Sequence, residues 1–130
     1  MSRFDKYGPV VGGFRVPLNA AILAANVGKI QGVSVNTSGK AIIGGSAAGA
    51  IVGLICAVRP MAAGDIIDVM TAGEIAEATM TAGTAFTAGA LVYVHLDGTV
   101  DNTATLGVIV GKMIQLDRMV VRVPTVAIVA

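Results

Sequence analysis

The sequence predicts an all-β domain, a small barrel or sandwich of roughly seven to nine short strands. Three observations predict it. Val and Ile supply 19 and 12 of the 130 residues, whereas aromatics make up 4% and Trp is absent. A core so poor in aromatics must be built from β-branched and small side chains, which fit pleated strands. Apolar residues alternate with period two over several segments, and turn signals recur at roughly the 8–12-residue spacing of sandwiches and barrels.

Composition excludes several classes. Charged residues are 13% of the chain and the hydrophobic fraction is 55%, the reverse of a disordered segment. Nine Lys and Arg against eight Asp and Glu leave +1, too little for a nucleic-acid-binding field. One cysteine cannot form a disulfide framework. The length fits one domain. A small soluble protein ordinarily carries more charge than this, so part of the surface is expected to be covered in an assembly.

Residues 1–17 hold three of the five aromatics, Phe4, Tyr7 and Phe14, together with Arg3, Asp5, Lys6 and Arg15. Gly8-Pro9 and Gly12-Gly13 oppose a helix, and the charges are not those of a secretory signal. We read an extended N-terminal arm, with Arg3, Phe4, Tyr7, Phe14 and Arg15 as its partner contacts, because aromatics and arginines are common interface anchors. Pro17 to Val27 fits a short helix with Pro17 at its start and Gly28 at its cap, or an extended segment.

From Lys29 the period is two. Ile30, Val33 and Val35 lead into the turn cluster Asn36-Thr37-Ser38-Gly39, and Ala41 to Ile43 resume the strand. Ile51 to Val58 is a continuous apolar run, expected to be a strand buried on both faces and ended by Arg59-Pro60. Asp65 to Met70 and Glu74 to Thr79 are strands separated by the turn Thr71-Ala72-Gly73. Leu91, Tyr93 and His95 alternate with Val92, Val94 and Leu96. Asp97-Gly98 then makes the strongest hairpin signal in the chain. Leu106 to Val110, Arg118 to Val123 and Thr125 to Val129 are the last strands. Thr-Ala-Gly recurs at 71–73, 81–83 and 87–89 with unequal spacing, which is turn chemistry and not a solenoid repeat.

No catalytic constellation emerges, and no cofactor or metal is expected. His95 is the lone histidine, read as a surface or interface residue. Cys56 has apolar neighbours and no base near it in sequence, so it is read as a small buried hydrophobe. Gly44-Gly45-Ser46-Ala47-Ala48-Gly49 lacks the Lys-Ser/Thr of a phosphate loop, because Ala50 follows Gly49. It also lacks the second glycine of a serine elbow, because Ala48 stands there. Asp65, Asp68, Glu74, Glu77, Asp97, Asp101 and Asp117 scatter over strand ends and turns. The methionines form no stripe and are expected to fill the core. An enzyme or ligand-binding barrel would need a polar cluster assembled only in space.

Residues 41–58 form an uncharged stretch with Gly45, Gly49 and Gly53 spaced four apart, as on a membrane packing face. This supports an alternative reading, a small holin-like membrane protein with a span at 41–58. About half of the stretch is Gly, Ala or Ser and it contains a turn signal, so buried strands are the leading expectation.

The run Ala-Gly-Asp-Ile-Ile-Asp-Val-Met-Thr-Ala-Gly-Glu-Ile (63–75) is followed by Thr-Ala-Gly-Thr-Ala-Phe-Thr-Ala-Gly-Ala-Leu-Val-Tyr-Val (81–94). Asp-Gly-Thr-Val (97–100), Leu-Gly-Val-Ile-Val-Gly-Lys (106–112) and Asp-Arg-Met-Val-Val-Arg-Val (117–123) come next. In this order of motifs the C-terminal two thirds resembles the tailed-phage head decoration, or capsid cement, proteins. The resemblance implies a small β-barrel or β-tulip-like domain, here 18–130 behind the arm at 1–17. It implies a structural virion protein on the outer surface of the head, a homotrimer whose partner is the major capsid protein. It implies no catalysis, no nucleic-acid partner and no membrane partner.

Overall fold

The computed structural model describes residues 12–45, 50–76, 79–80, 88–104, 107–115 and 118–123. These residues form an all-β domain with two sheets, one of them curled into half a barrel. The strands are β1 (Gly13–Pro17), β2 (Lys29–Val35), β3 (Ala41–Ile43), β4 (Gly53–Cys56), β5 (Ile66–Met70) and β6 (Ala72–Ala76), followed by β7 (Thr79–Met80), β8 (Leu91–Val94), β9 (Val100–Asp101), β10 (Val108–Gln115) and β11 (Arg118–Arg122). The first sheet has the order β1-β5-β4-β2-β3, with β7 alongside β2; the second has the order β6-β11-β10-β8-β9. All pairings between strands are antiparallel except that of β7 with β2.

Period-two burial explains the layering. One face of the first sheet carries Ile30, Leu54 and Met80, which pack against Val92, Val94, Val110, Met113, Met119 and Val121 of the second sheet. The opposite face carries Val33, Ile55, Ile67 and Val69, and these pack with Val16, Leu18, Ile22 and Ala57. The first sheet is therefore buried on both sides along β2 and β4, whereas Arg15, Ile66 and Asp68 of β1 and β5 stay exposed. Met80, Met113 and Met119 fill the core.

The described part of the uncharged stretch at 41–58 contains two of these strands. Its ends are the strands β3 and β4, which flank β2 in one sheet. Among the described residues no helix is long and apolar enough to cross a membrane. The helical span is overturned: Ala41 lies in β3, Leu54 and Ile55 lie in β4, and all three are buried in the sheet, while Ile43, Val52 and Val58 are exposed.

Several boundaries differ from expectation. Between Pro17 and Val27 the chain is extended apart from a single 3-10 turn at Ala24–Asn26. Leu18 and Ile22 are buried four apart, which mimics a helix, but Leu18 bridges Ala41 and Ile22 bridges Met61. Thr71-Ala72-Gly73 does not reverse the chain. It carries it from β5 in the first sheet to β6 in the second. β10 runs on past Val110 because a bulge around Val110 lets Gly111 continue the pairing with β8. The Asn36 turn is as read: its side-chain oxygen accepts from the backbone N–H of Ser38 and Lys40 at 2.9 and 3.0 Å. The expected strand at Thr125 to Val129 lies outside the described residues.

Cys56 is half-buried at the margin of the inter-sheet core, less enclosed than its neighbours implied. Burial pushes its thiol up from the ordinary value. Alkylation by iodoacetamide at pH 8 should therefore be slow in the native protein and become rapid in denaturant. Equal rates in both states would contradict this environment.

Candidate functional site

Three surface features merit a functional reading. The first is β1, which ends the first sheet. Phe14 and Arg15, two of the five expected arm contacts, lie on it. Phe14 packs against the core beneath the first sheet. Arg15 points outward, and its Nε lies 2.8 Å from Asp68 Oδ1 across the pair with β5. Both side chains are more than three-quarters exposed, so this ion pair contributes little to stability. The carbonyl of Gly12 accepts the N–H groups of Thr71 and Ala72, pinning the start of β1 to the crossing between the sheets. Arg3, Phe4 and Tyr7 lie outside the described residues.

The second feature is the β8–β9 hairpin. Asp97 Oδ1 accepts the N–H of Thr99 at 2.9 Å, and the hydrogen bonds from Thr99 hold the Asp97 carboxyl below its ordinary range. His95 Nε2 lies 2.7 Å from Asp101 Oδ1, and Asp101 also accepts the N–H of Thr103. The hairpin register puts Tyr93 opposite Asp101, so His95 and Asp101 are diagonal neighbours on one face. In the sequence His95 and Asp101 stand apart; the register set by the Asp97-Gly98 hairpin is the signal that joins them. The hairpin meets the first sheet through Val94 and Val100 in the inter-sheet core and through backbone hydrogen bonds. The N–H of Gly32 bonds to the carbonyl of Gly98 and that of Gly45 to the carbonyl of Leu96, while the N–H of Gly44 bonds to the carbonyl of Gly32 on the first-sheet side. The amides of Gly44 and Gly45 are thus engaged within the fold.

The third feature is the outer face of the second sheet. Leu91, Ile109 and Val120 are each more than two-fifths exposed there. Lys112 pairs with Leu91 on one side and Val120 on the other, and Val120 pairs with Glu74. Arg118 Nε donates to Glu74 Oε1 at 2.6 Å. This bond holds the Glu74 carboxyl below its ordinary range. Its contribution is present above about pH 4.3, the unperturbed glutamate value, and fades as pH falls through the lower folded value. NMR titration should show Glu74 titrating below that value, and Arg118→Gln should bring it back; a Glu74 unaffected by Arg118→Gln would contradict the pairing.

Among the described residues no three His, Cys, Asp or Glu side chains gather where they would hold a metal ion. The His95–Asp101 pair is held within one hairpin. No family model matches the chain, and no curated protein matches it. A solved structure does. The chain shares its fold with a chain of Mycobacterium phage Patience. The two superpose with a TM-score of 0.70 over 93% of this chain and 95% of that one, at 20% identity. At that identity the likeness is one of fold.

Proposed function

We propose that this chain is a phage structural protein that binds the outer surface of the head and stabilises contacts between major capsid protein subunits. The observation that carries the reading is the whole-length fold likeness to a phage chain. The order of strand and turn motifs from 63 to 123, which resembles head decoration proteins, gives that likeness its functional direction. Fold alone does not assign function. The low charge and the apolar outer face of the second sheet support a protein partly covered in use.

In this reading the chain acts as a homotrimer on the virion. Each copy makes modest contacts, and the repeating lattice multiplies them through effective concentration. No catalytic step, cofactor, nucleic acid or membrane enters the mechanism. The arm residues Arg3, Phe4 and Tyr7 reach the shell together with the exposed Arg15, while Phe14 also ties the arm to the domain by packing on its core.

Two experiments test this. Calorimetry of DNA-filled heads lacking the protein should show DNA release at a higher temperature once the purified chain is added. An unchanged release temperature at saturating protein contradicts the stabilising role. Deleting residues 1–11 leaves β1 in place and should abolish head binding while the thermal unfolding midpoint is retained. Full occupancy by the shortened chain would show that the arm is not the anchor.

A further inference from the structure

We infer that the outer face of β8, β10 and β11 is the surface that meets the capsid, and that it takes an apolar protein surface bearing carboxylates. The inference rests on the capsid-binding reading and adds the face and the chemistry of the partner. Strand register puts Leu91, Lys112 and Val120 in one row, with Tyr93 and Ile109 side by side in a neighbouring row. Val92, Val94, Val110, Met113, Met119 and Val121 occupy the inward positions of the same strands, so the core does not require the outward positions to be apolar. A solvated sheet face ordinarily alternates to polar residues. Here Leu91, Ile109 and Val120 are 42%, 42% and 43% exposed, grouped on one face.

Charge selects the occupant. Arg118 is matched by Glu74 at the β6 edge. Lys112 stands between two aliphatic side chains, and Arg122 is exposed at the end of β11. A second copy packed through the same face would bring cations against cations, at a cost that complementary interfaces avoid. A nucleic acid gains from many cations and little from an aliphatic centre. A protein surface that covers Lys112 takes its ammonium out of water, which is costly unless a carboxylate meets it. An apolar surface carrying acidic side chains satisfies both the aliphatic rows and Lys112.

The test is co-sedimentation of the full chain with undecorated heads of the phage that encodes it, for wild type, Lys112→Glu, Lys112→Met and Ile109→Asp. The positions are exposed, and thermal unfolding of each variant checks that the fold is kept. Wild type should bind, more weakly as salt rises. Lys112→Glu and Ile109→Asp should each weaken binding by about tenfold or more. Lys112→Met should bind with a reduced dependence on salt. Folded Lys112→Glu and Ile109→Asp that bind like wild type overturn the inference and leave the capsid reading standing. Variants that lose self-association by light scattering yet bind heads normally overturn it as well, by assigning the face to a second copy. Wild type that leaves the heads bare overturns the capsid reading and the inference together.

Discussion

Replacing Gly98 by valine is expected to destabilise the domain by about 2–5 kcal/mol, enough to unfold much of the population. Two effects add. Gly98 has φ +86°, in the left-handed region that a β-branched residue adopts only under strain. A Cβ there would also lie 2.8 Å from the Gly32 carbonyl oxygen, the Gly44 nitrogen and Ile43 Cγ2. Two of those three atoms are backbone, so no rotamer change relieves the clash. The same contact joins the two sheets, because Gly98 accepts the N–H of Gly32. Urea unfolding of Gly98→Val should show a midpoint far below wild type. Gly39→Ala provides the comparison: φ is +77° there, but a Cβ would meet nothing within 4 Å. Its loss should be limited to the conformational cost, about 1–2 kcal/mol. Equal losses at the two positions would show that the close approach at Gly98 is not what matters.

The second large effect is expected at Leu54. Its side chain is fully buried in the inter-sheet core, on a strand flanked by Gly32 of β2 and Met70 of β5. Leu54→Ala should cost about 2–5 kcal/mol from lost burial and the cavity left behind. Leu54→Met, which conserves volume, should cost less than about 1.5 kcal/mol. The Leu54→Ala result tests whether the two sheets share one core. If it is no more damaging than an exposed Val58→Ala, the sheets do not depend on each other as described.

Much of the fold was legible in the sequence because burial writes a period of two. Arg118 to Val123 alternates outward and inward as its spelling implies, and Asp97-Gly98 turns a hairpin. The structure departs from the local signals where those signals have a tertiary reason. Pro17 and Gly28 fit the ends of a short helix or an extended segment, and the bridges of Leu18 to Ala41 and of Ile22 to Met61 select the extended one. Gly111 reads as the end of a strand, yet it continues β10 beside a bulge. Thr71-Ala72-Gly73 has turn chemistry, and the chain uses it to change sheets without reversing. Val58, at the end of an apolar run, is 88% exposed beyond the end of β4.

The surfaces were less legible. Sequence alternation placed Leu91 with Tyr93 and Arg118 with Arg122, but it did not show that β8 and β11 flank β10. Only that order makes one face of Leu91, Lys112 and Val120. The exposed ion pair of Arg15 with Asp68 joins residues 53 positions apart, beyond any local pattern. The clustering of aromatic and basic residues at 1–17 is the sequence basis for the arm.

The central claim is that this chain occupies a phage head. It is tested most directly by titrating purified protein onto undecorated heads, sedimenting them and measuring bound protein per capsid subunit. The capsid reading predicts a plateau at a fixed ratio of chain to capsid subunit, unchanged by further protein. Binding that rises without a plateau, or heads that sediment bare, would contradict it.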